Sequence, residues 1–185
     1  MIIGKNCKIS DKISVYENEG TIMIGDNVRI DDFCILSTGG NGSIKIGNHV
    51  HVSSFNGLYG GGGIVFEDFV QIASRCLFLS ASDDFSGHSL VGPCIPKKFK
   101  PGLKYGKICL EKHALVGAGS IILPNVTIGE GSAIGAASVV KWNVIPWAIY
   151  AGIPAKLIKY RNQEMKRLAK EFIEWYDQSL ERTIE

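Results

Sequence analysis

Residues 110–140 read LEKHALVGAGSIILPNVTIGEGSAIGAASVV, and within this stretch an aliphatic residue returns at every sixth position. A period of six matches neither the 3.6-residue repeat of an α-helix nor the alternation of a long β-strand. The repeating unit must therefore be a short strand followed by a tight turn, and three units close one triangular coil. The aliphatic residues are Leu110, Val116, Ile122, Ile128, Ile134 and Val140.

A second series follows the first by four positions, and its members are small or β-branched. We expect the aliphatic residues to point into a prism and the small residues to fit its corners. Glycine, asparagine and aspartate suit the turns because they tolerate unusual backbone angles. One coil cannot bury its own apolar face, so stacking of coils stabilises the fold. The second series comprises Ala114, Ser120, Val126, Ser132 and Ser138.

The same register extends backwards towards the N-terminus and predicts about six coils within residues 1–154. Its interruptions predict loops at 17–20, 39–43 and 60–63 and an extended loop at 83–107. A loop as long as the last one is usually functional in a compact domain. The earlier aliphatic positions are Ile3, Ile9, Val15, Ile24, Ile30, Leu36, Ile46, Val52, Leu58, Phe66, Ile72 and Phe78.

The pattern changes after Pro154, where apolar residues follow helical spacing among charged ones. We therefore assign residues 155–185 to a C-terminal amphipathic helix that packs against the prism or a neighbouring subunit. Its acidic residues oppose binding to anionic lipid. The apolar positions are Met165, Leu168, Ala169, Phe172, Trp175, Tyr176 and Leu180.

Composition excludes several classes of protein. The formal net charge is +2 and no basic cluster precedes the C-terminal segment, so no nucleic-acid partner is expected. No apolar run approaches the roughly 20 residues that span a bilayer, and we expect a cytoplasmic protein without a membrane span. The five cysteines include no CxxC pair, which favours buried free thiols over a disulfide framework or a zinc site.

Two segments add to the six-residue register: Val-Thr-Ile-Gly-Glu-Gly at 126–131 and Ala-Gly-Ile-Pro-Ala-Lys at 151–156. Together they resemble the hexapeptide-repeat acetyltransferases, especially the branch that acetylates sugars. The resemblance implies an all-β, left-handed parallel β-helix that forms a homotrimer, with active sites between neighbouring prisms and acetyl-CoA as donor. The run Ser-Ala-Ser-Asp-Asp-Phe-Ser-Gly at 80–87 is similar to the subgroup acting on sugars or nucleotide sugars in polysaccharide biosynthesis.

Acetyl transfer needs a base for the acceptor proton and donors for the developing oxyanion. The histidine that family members commonly use as base is replaced by Asp83, a weak base at an ordinary carboxyl pKa. Asp84 is a partner for a histidine or an acceptor of sugar hydroxyls. His88 could be carried to the acceptor by the loop, and His113 could meet Asp83 across a subunit interface. These four residues form the predicted catalytic set.

The resemblance also carries the coenzyme A contacts onto six positions. The small ones let the pantetheine arm approach the backbone, and the amide of Gly117 or Ala118 is the expected oxyanion donor. His51, Ser53 and Ser82 are the predicted acceptor-binding residues. The coenzyme A positions are Gly117, Ala118, Ala136, Lys141, Lys156 and Lys159.

Two alternatives remain open at the level of sequence. The scaffold also hosts acetyltransferases whose acceptor is a drug or an amino acid. A non-catalytic or metal-binding trimer is the other, but His49 and His51 lack a matching third ligand and His113 belongs to another coil. We therefore expect no metal and an acceptor that is a sugar or nucleotide sugar.

Overall fold

A computed structural model describes residues 1–39 and 41–181. Short strands joined by tight turns wind these residues into six complete coils and a partial seventh. The left-handed parallel β-helix predicted from the sequence is confirmed. The first three coils contain β1 (Ile2–Ile3), β2 (Lys8–Ile9), β3 (Ser14–Tyr16), β4 (Thr21–Ile24), β5 (Arg29–Ile30), β6 (Ile35–Ser37), β7 (Ser43–Ile46), β8 (His51–Val52) and β9 (Gly57–Tyr59).

The long loop leaves the prism after the fourth coil and returns at the fifth as a two-stranded antiparallel hairpin. A short 3₁₀ turn at Lys97–Phe99 lies within it. The remaining strands are β10 (Ile64–Phe66), β11 (Gln71–Ile72), β12 (Leu77–Leu79), β13 (Ala81–Ser82), β14 (Lys104–Tyr105), β15 (Ile108–Leu110), β16 (Leu115–Val116), β17 (Ile121–Ile122), β18 (Thr127–Ile128), β19 (Ala133–Ile134), β20 (Val139–Val140), β21 (Ala148–Gly152) and β22 (Ala155–Tyr160).

Each wall of the prism is one sheet whose strands come from successive coils. Sheet A has the order β1-β4-β7-β10-β15-β18, sheet B the order β2-β5-β8-β11-β16-β19-β21-β22, and sheet C the order β3-β6-β9-β12-β17-β20. The pairing is parallel and in register, so like residues stack, as Ile44, Ile64 and Ile108 do in sheet A. The six-residue period therefore becomes vertical columns of side chains.

The predicted aliphatic columns form the core. Phe66 and Phe78 are fully buried and meet edge to face, with ring centroids 5.0 Å apart. Ile3 and Val15 occupy the same columns in the first coil but are 46% and 36% exposed because no coil lies beneath them. The predicted corner residues Ala114, Ser120, Val126, Ser132 and Ser138 are all fully buried.

Three corners join the sheets, and one residue in most turns has the left-handed φ that the geometry demands. The first corner, between sheets A and B, contains Asn27, His49, Phe69, His113 and Trp147. The second, between B and C, contains Phe33, Phe55, Arg75, Gly119 and Ala137. The third leads from C to the next coil and contains Asn18, Gly39 and Asn125. A left-handed backbone costs about 1–2 kcal/mol per non-glycine residue, which stacking of the rings in these columns partly offsets.

The C-terminal segment departs from the sequence prediction at its start. Residues 155–160 form β22, which pairs antiparallel with β21 through a turn at Gly152, where φ is +105°. The helix α1 begins only at Met165 and ends at Glu181. The strand forms because the last coil leaves the edge of sheet B unpaired, and the chain itself supplies the missing hydrogen bonds.

Helix α1 folds back along the first corner of its own chain. Phe172 and Tyr176 meet the ring of His49 edge-on, and the Tyr176 hydroxyl donates to Asn27 Oδ1 at 2.9 Å. The helix is about 25 Å long, close to the roughly 24 Å that five coil spacings occupy. It therefore covers this corner from the last coil down to the first two, where Tyr176 contacts Asn27 and Asn6. No helix among the described residues is long and apolar enough to cross a membrane.

The core predicts a large cost for truncating Phe78. Phe78→Ala removes a fully buried ring from the centre of the stack, and such changes cost about 3–5 kcal/mol. We expect a clear drop in the thermal unfolding midpoint. Leu90→Ala, at a loop residue that is 56% exposed, is the control and should leave the midpoint nearly unchanged. Equal midpoints for the two variants would contradict the packing described.

Candidate functional site

The outward backbone amides of the first corner are satisfied by side chains of neighbouring coils. Asp26 N–H donates to Asn48 Oδ1 at 2.8 Å, and Asn48 N–H donates to Asp68 Oδ1 at 2.7 Å. Higher up, Lys112 N–H and Glu130 N–H donate to carboxylates at 3.1 and 2.8 Å. This corner therefore has few free donors for a ligand.

In its third to sixth turns the second corner lacks such acceptors. The residues there at the equivalent turn position are small, and none of their N–H groups donates a hydrogen bond within the described residues. Backbone donors are obligatory hydrogen-bonding groups, so an exposed row of them is suited to a ligand that offers acceptors. A groove of about 620 Å³, bounded by Phe55, Arg75 and Gly119, runs past part of this row. The residues concerned are Ser54, Ser74, Ala118 and Ala136.

Three of the six predicted coenzyme A residues lie on this corner. Gly117, Ala118 and Ala136 belong to its fifth and sixth turns. Gly117 N–H is already donated to Ile134 O at 2.8 Å, whereas that of Ala118 has no acceptor among the described residues. Of the two expected oxyanion donors, only Ala118 therefore has a free amide.

The three predicted lysines are spread over the upper end of the prism. Lys156 pairs with Ala151 at the top of the second corner, and Lys159 pairs with Ile149 further along sheet B. Lys141 follows β20 at the third corner, with its ammonium 5.2 Å from the centroid of Trp142. Lys156 is thus the lysine nearest the free amides, and Lys141 lies on the far side of sheet C.

His51 and Ser53 lie where sheet B meets the second corner, one coil below Ser74. His51 Nε2 is 2.8 Å from Asp31 Oδ2, and Arg29 Nε donates to Asp31 Oδ1 at 2.6 Å. Partial burial raises the pKa of Asp31, but the hydrogen bonds from His51 and Arg29 outweigh it and the pKa is lowered. The pair is a fixed polar group on the outer wall.

The acidic part of the loop leaves the third corner and is organised around Asp84. Its Oδ1 accepts both N–H and Oγ–H of Ser86, at 2.9 and 2.6 Å, and its Oδ2 accepts His88 N–H at 2.8 Å. The Ser86 hydroxyl is 2.7 Å from His88 Nδ1, so Asp84 and His88 are linked through one serine. These hydrogen bonds lower the pKa of Asp84 to about 2. Asp84 is therefore a permanent negative charge and a weak base at neutral pH.

Ser82 and Asp83, which precede Asp84, make hydrogen bonds at the point where the loop leaves the prism. Asp83 Oδ2 accepts Gly92 N–H at 3.1 Å across the loop. Ser82, in β13, donates its hydroxyl to Asp83 O at 3.1 Å. Ser82, Asp83, Asp84 and His88 are therefore together at one corner, while His51 and Ser53 are at another.

His113 lies apart from this loop. Its ring stacks on Phe69 in the column of the first corner, with centroids 4.9 Å apart, beneath helix α1. It borders an almost wholly apolar cavity of about 420 Å³ between the helix and sheet B. Burial lowers the pKa of His113. Within one chain the structure does not bring His113 to Asp83, and α1 covers the corner where a neighbouring loop would have to approach.

Ser74 was not singled out from the sequence. It precedes Arg75 in the fourth turn of the second corner and borders the groove beside Ala118. In the sequence it is one small turn residue among many, whereas in the structure it lies beside the free amides. Among the described residues no cluster of three or more histidine, cysteine or acidic side chains has a geometry that could hold a metal ion.

Comparisons with known proteins agree with this architecture. No protein-family model matches the chain. A dTDP-4-amino-4,6-dideoxy-D-glucose acyltransferase from Escherichia coli is 39% identical over 170 residues, which cover 92% of this chain and 87% of the relative. The crystal structure of AntD, an N-acyltransferase from Bacillus cereus in complex with dTDP and 3-hydroxybutyryl-CoA, is 47% identical with a TM-score of 0.86. That alignment covers 94% of this chain and 90% of AntD.

Other AntD structures contain single substitutions of one serine or of one aspartate ten positions further along that chain, with coenzyme A bound. A more distant similarity, to a hexapeptide-repeat acetyltransferase from Vibrio cholerae, has a TM-score of 0.58 at 20% identity and covers 88% of this chain and 74% of that one. At that identity it supports the fold alone.

The stacked His113 predicts a pH-dependent stability. Its pKa in the folded protein lies below the ordinary 6.5, because burial under α1 penalises the charged ring. The neutral ring therefore contributes its full share of the folding stability above pH 6.5, and this stability is lost as the pH falls through the lowered pKa. Glu130 and Asp68 act against this shift, and Lys112 and Arg161 act with it.

His113→Phe retains a ring at a position where Phe69 already shows that phenylalanine accepts this backbone conformation, with φ +63°. We expect the melting temperature of the wild type to fall more steeply below pH 6.5 than that of His113→Phe, measured by differential scanning fluorimetry. Parallel pH profiles would show that His113 does not titrate under the helix.

Proposed function

Because the chain belongs to the hexapeptide-repeat sugar acyltransferases, in the family of the dTDP-4-amino-4,6-dideoxy-D-glucose acyltransferase, we propose that it transfers an acyl group from coenzyme A to the amino group of a dTDP-amino sugar. The acceptor of first choice is dTDP-4-amino-4,6-dideoxyglucose. Acetyl and 3-hydroxybutyryl are the acyl groups to compare, since AntD binds 3-hydroxybutyryl-CoA. The reaction takes place in the cytoplasm, in keeping with the five unpaired cysteines.

The row of free amides at the second corner is the observation that carries this proposal. The pantetheine arm has two amide carbonyls and needs an extended surface with donors and no bulky side chains. Ala118 and Ala136 supply such a surface, and Lys156 stands at its upper end. A lysine ammonium suits the phosphates of coenzyme A as a point charge.

The acceptor side of the site is assigned to Ser74 and Asp84. They are the only serine and aspartate in this sequence separated by ten positions, the spacing of the two residues substituted in AntD. Asp84 stays ionised and accepts a hydrogen bond from the sugar amine, which orients the nitrogen lone pair towards the thioester. The nitrogen attacks the carbonyl carbon, the C–S bond breaks, and the proton lost by nitrogen ends on the coenzyme A sulfur.

Ser74 and Asp84 belong to one site only when two subunits meet. Ser74 lies at the second corner, while Asp84 lies beyond the third, with strand β12 between them. At about 3.3 Å per residue the strand and its flanks separate the two corners by more than about 10 Å. A homotrimer in which the second corner of one subunit faces the third corner of the next unites them.

The outer face of sheet C supports such an interface. One of its two outward columns carries no charge from the second coil to the sixth and consists of half-buried apolar side chains except for one buried glycine, whereas the other column includes Ser37, Tyr59 and Leu79. An extended apolar face on a folded protein commonly marks an interface. Sheet C also lies between the two corners that the site requires. The residues of the first column are Ile35, Gly57, Leu77, Ile121 and Val139.

The proposed activity is tested by following release of free thiol from acetyl-CoA and 3-hydroxybutyryl-CoA. Acceptors are dTDP-4-amino-4,6-dideoxyglucose, its 4-hydroxy counterpart and a non-sugar amine such as serine. Turnover only with the amino sugar supports the proposal. Equal turnover with the hydroxy sugar or with serine contradicts the acceptor assignment, and no turnover with any acceptor contradicts the activity.

A shared active site predicts complementation between inactive subunits. Ser74→Ala and Asp84→Ala each remove a group assigned to positioning the acceptor and should lower kcat by about 100-fold or more. In a trimer mixed randomly from the two variants, an interface is intact when the Asp84→Ala chain supplies Ser74 and the Ser74→Ala chain supplies Asp84. A cyclic arrangement makes about a quarter of the interfaces intact.

The measurement is activity after the two variants are denatured and refolded together, compared with refolding of each alone. Recovery of about a quarter of the wild-type rate is expected. Absence of recovery in mixed trimers, whose formation is checked with a mass-tagged subunit, would mean that each chain builds its own site.

Filling the second corner should block the donor. Ala136 is exposed, so Ala136→Trp leaves the core intact and places a ring across the proposed pantetheine path. We expect the KM for acyl-CoA to rise about tenfold or more, equivalent to about 1.4 kcal/mol, while the melting temperature stays unchanged. Lys112→Trp at the equivalent turn position of the first corner is the matched control. A similar KM for both variants would argue that coenzyme A binds elsewhere.

A further inference from the structure

The lower half of the second corner carries a ladder of stacked side chains. The rings of Phe33 and Phe55 are stacked with centroids 5.1 Å apart and are 51% and 50% exposed. Lys12 Nζ lies 5.9 Å from the Phe33 centroid at the bottom, and Arg75 Cζ lies 5.6 Å from the Phe55 centroid at the top. The ladder stops there because the next residue of the column is Gly119.

The two cations at the ends of this ladder differ in their partners. Lys12 Nζ is paired with Asp32 at 3.1 Å. Arg75 has neither an ion pair nor a hydrogen bond from its side chain within residues 1–39 and 41–181, and it borders the 620 Å³ groove. Its guanidinium is held over a ring with its N–H donors uncommitted. Such an arginine matches the two oxygens of a phosphate bidentately and loses little freedom on binding.

We propose that Arg75 binds the diphosphate of the nucleotide-sugar acceptor, and that Phe55, supported by Phe33, is a positioning residue for it. This proposal rests on the proposed function and names the group that makes the acceptor a nucleotide sugar. In such an acceptor the pyranose ring separates the amine at C4 from the diphosphate at C1. The diphosphate must therefore lie at least one coil spacing, about 4.8 Å, from the reacting amine.

The position of Arg75 meets that requirement. It is adjacent to Ser74, and its side chain reaches down over Phe55 in the coil below, away from Ala118 and Ala136. Coenzyme A also contains a diphosphate, but its proposed partner Lys156 pairs with Ala151 in the seventh coil. Three coil spacings, about 14 Å, separate that level from Arg75. The diphosphate of the acceptor is thus assigned to the lower end of the groove, and the diphosphate of coenzyme A to the upper end.

The test measures binding of dTDP, thymidine and coenzyme A by isothermal titration calorimetry, without turnover. Loss of a hydrogen-bonded charge pair in Arg75→Gln should raise the Kd of dTDP by about 10- to 100-fold. The Kd values of thymidine, which has no phosphate, and of coenzyme A should stay unchanged. Arg75→Lys keeps the charge but not the fork, so its Kd for dTDP should fall between those of the wild type and Arg75→Gln.

Lys12→Gln is the matched control, since it removes the other cation of the same ladder and should leave all three Kd values unchanged. Phe55→Leu should weaken dTDP binding only while Arg75 is present, because its effect acts through the guanidinium. Adding Phe55→Leu to Arg75→Gln should therefore have no further effect, and Phe55→Tyr should restore the wild-type value.

An unchanged Kd for dTDP in Arg75→Gln overturns the proposal, as does a rise in the Kd of coenzyme A instead. A rise of equal size for thymidine also overturns it, because that pattern reports a general loss of the groove. The result is separable from the proposed function. If dTDP binding depends on Arg75 but no acyl transfer occurs, only the proposed function is contradicted. If acyl transfer occurs but dTDP binding does not depend on Arg75, only the role of Arg75 is contradicted.

Discussion

The hydrogen-bonded stacking of one coil on the next is the constraint on which the rest of this structure depends. A single coil has three strands of two to four residues, too short to be stable alone. Parallel, in-register pairing lets each coil bury its aliphatic residues against its neighbours, and the core becomes a set of vertical columns. The same pairing repeats every turn at the same height interval, so each corner becomes a column as well.

The corners differ in whether their outward backbone N–H groups have hydrogen-bond acceptors within the protein. At the first corner, acidic and amide side chains from adjacent coils accept the outward N–H groups, and helix α1 covers the stacked rings of His49, Phe69 and His113. At the second corner, serine and alanine are too short to do the same and leave the donors free. The first corner is therefore closed by the protein itself, and the second remains open to a ligand.

The candidate chemistry is divided between two corners that lie at opposite edges of sheet C. The amides proposed to bind the acyl carrier lie on the second corner, and the charged Asp84 lies on the loop of the third. Direct transfer needs both within reach of one amine and one thioester. The proposed assembly across the apolar column of sheet C would bring the two corners together without any change in the fold of the subunit. It also explains how a carboxylate with a pKa of about 2 fits the site, because its proposed role is to orient an amine by charge.

By itself the sequence determined the prism, its six complete coils, the points where loops leave it and the family, because a period of six is a local property that every coil repeats. It also placed Ala118, Ala136 and the Asp84 loop among the candidates. Only the tertiary structure decided that residues 155–160 form a strand, since this depends on the unpaired edge of sheet B. It likewise showed that His113 stacks on Phe69 beneath helix α1 and that Ser74 and Arg75 border the groove beside the free amides. The residues that contact Ser74 and Arg75 lie about 20 to 45 positions away along the chain, and a local sequence pattern does not predict such contacts.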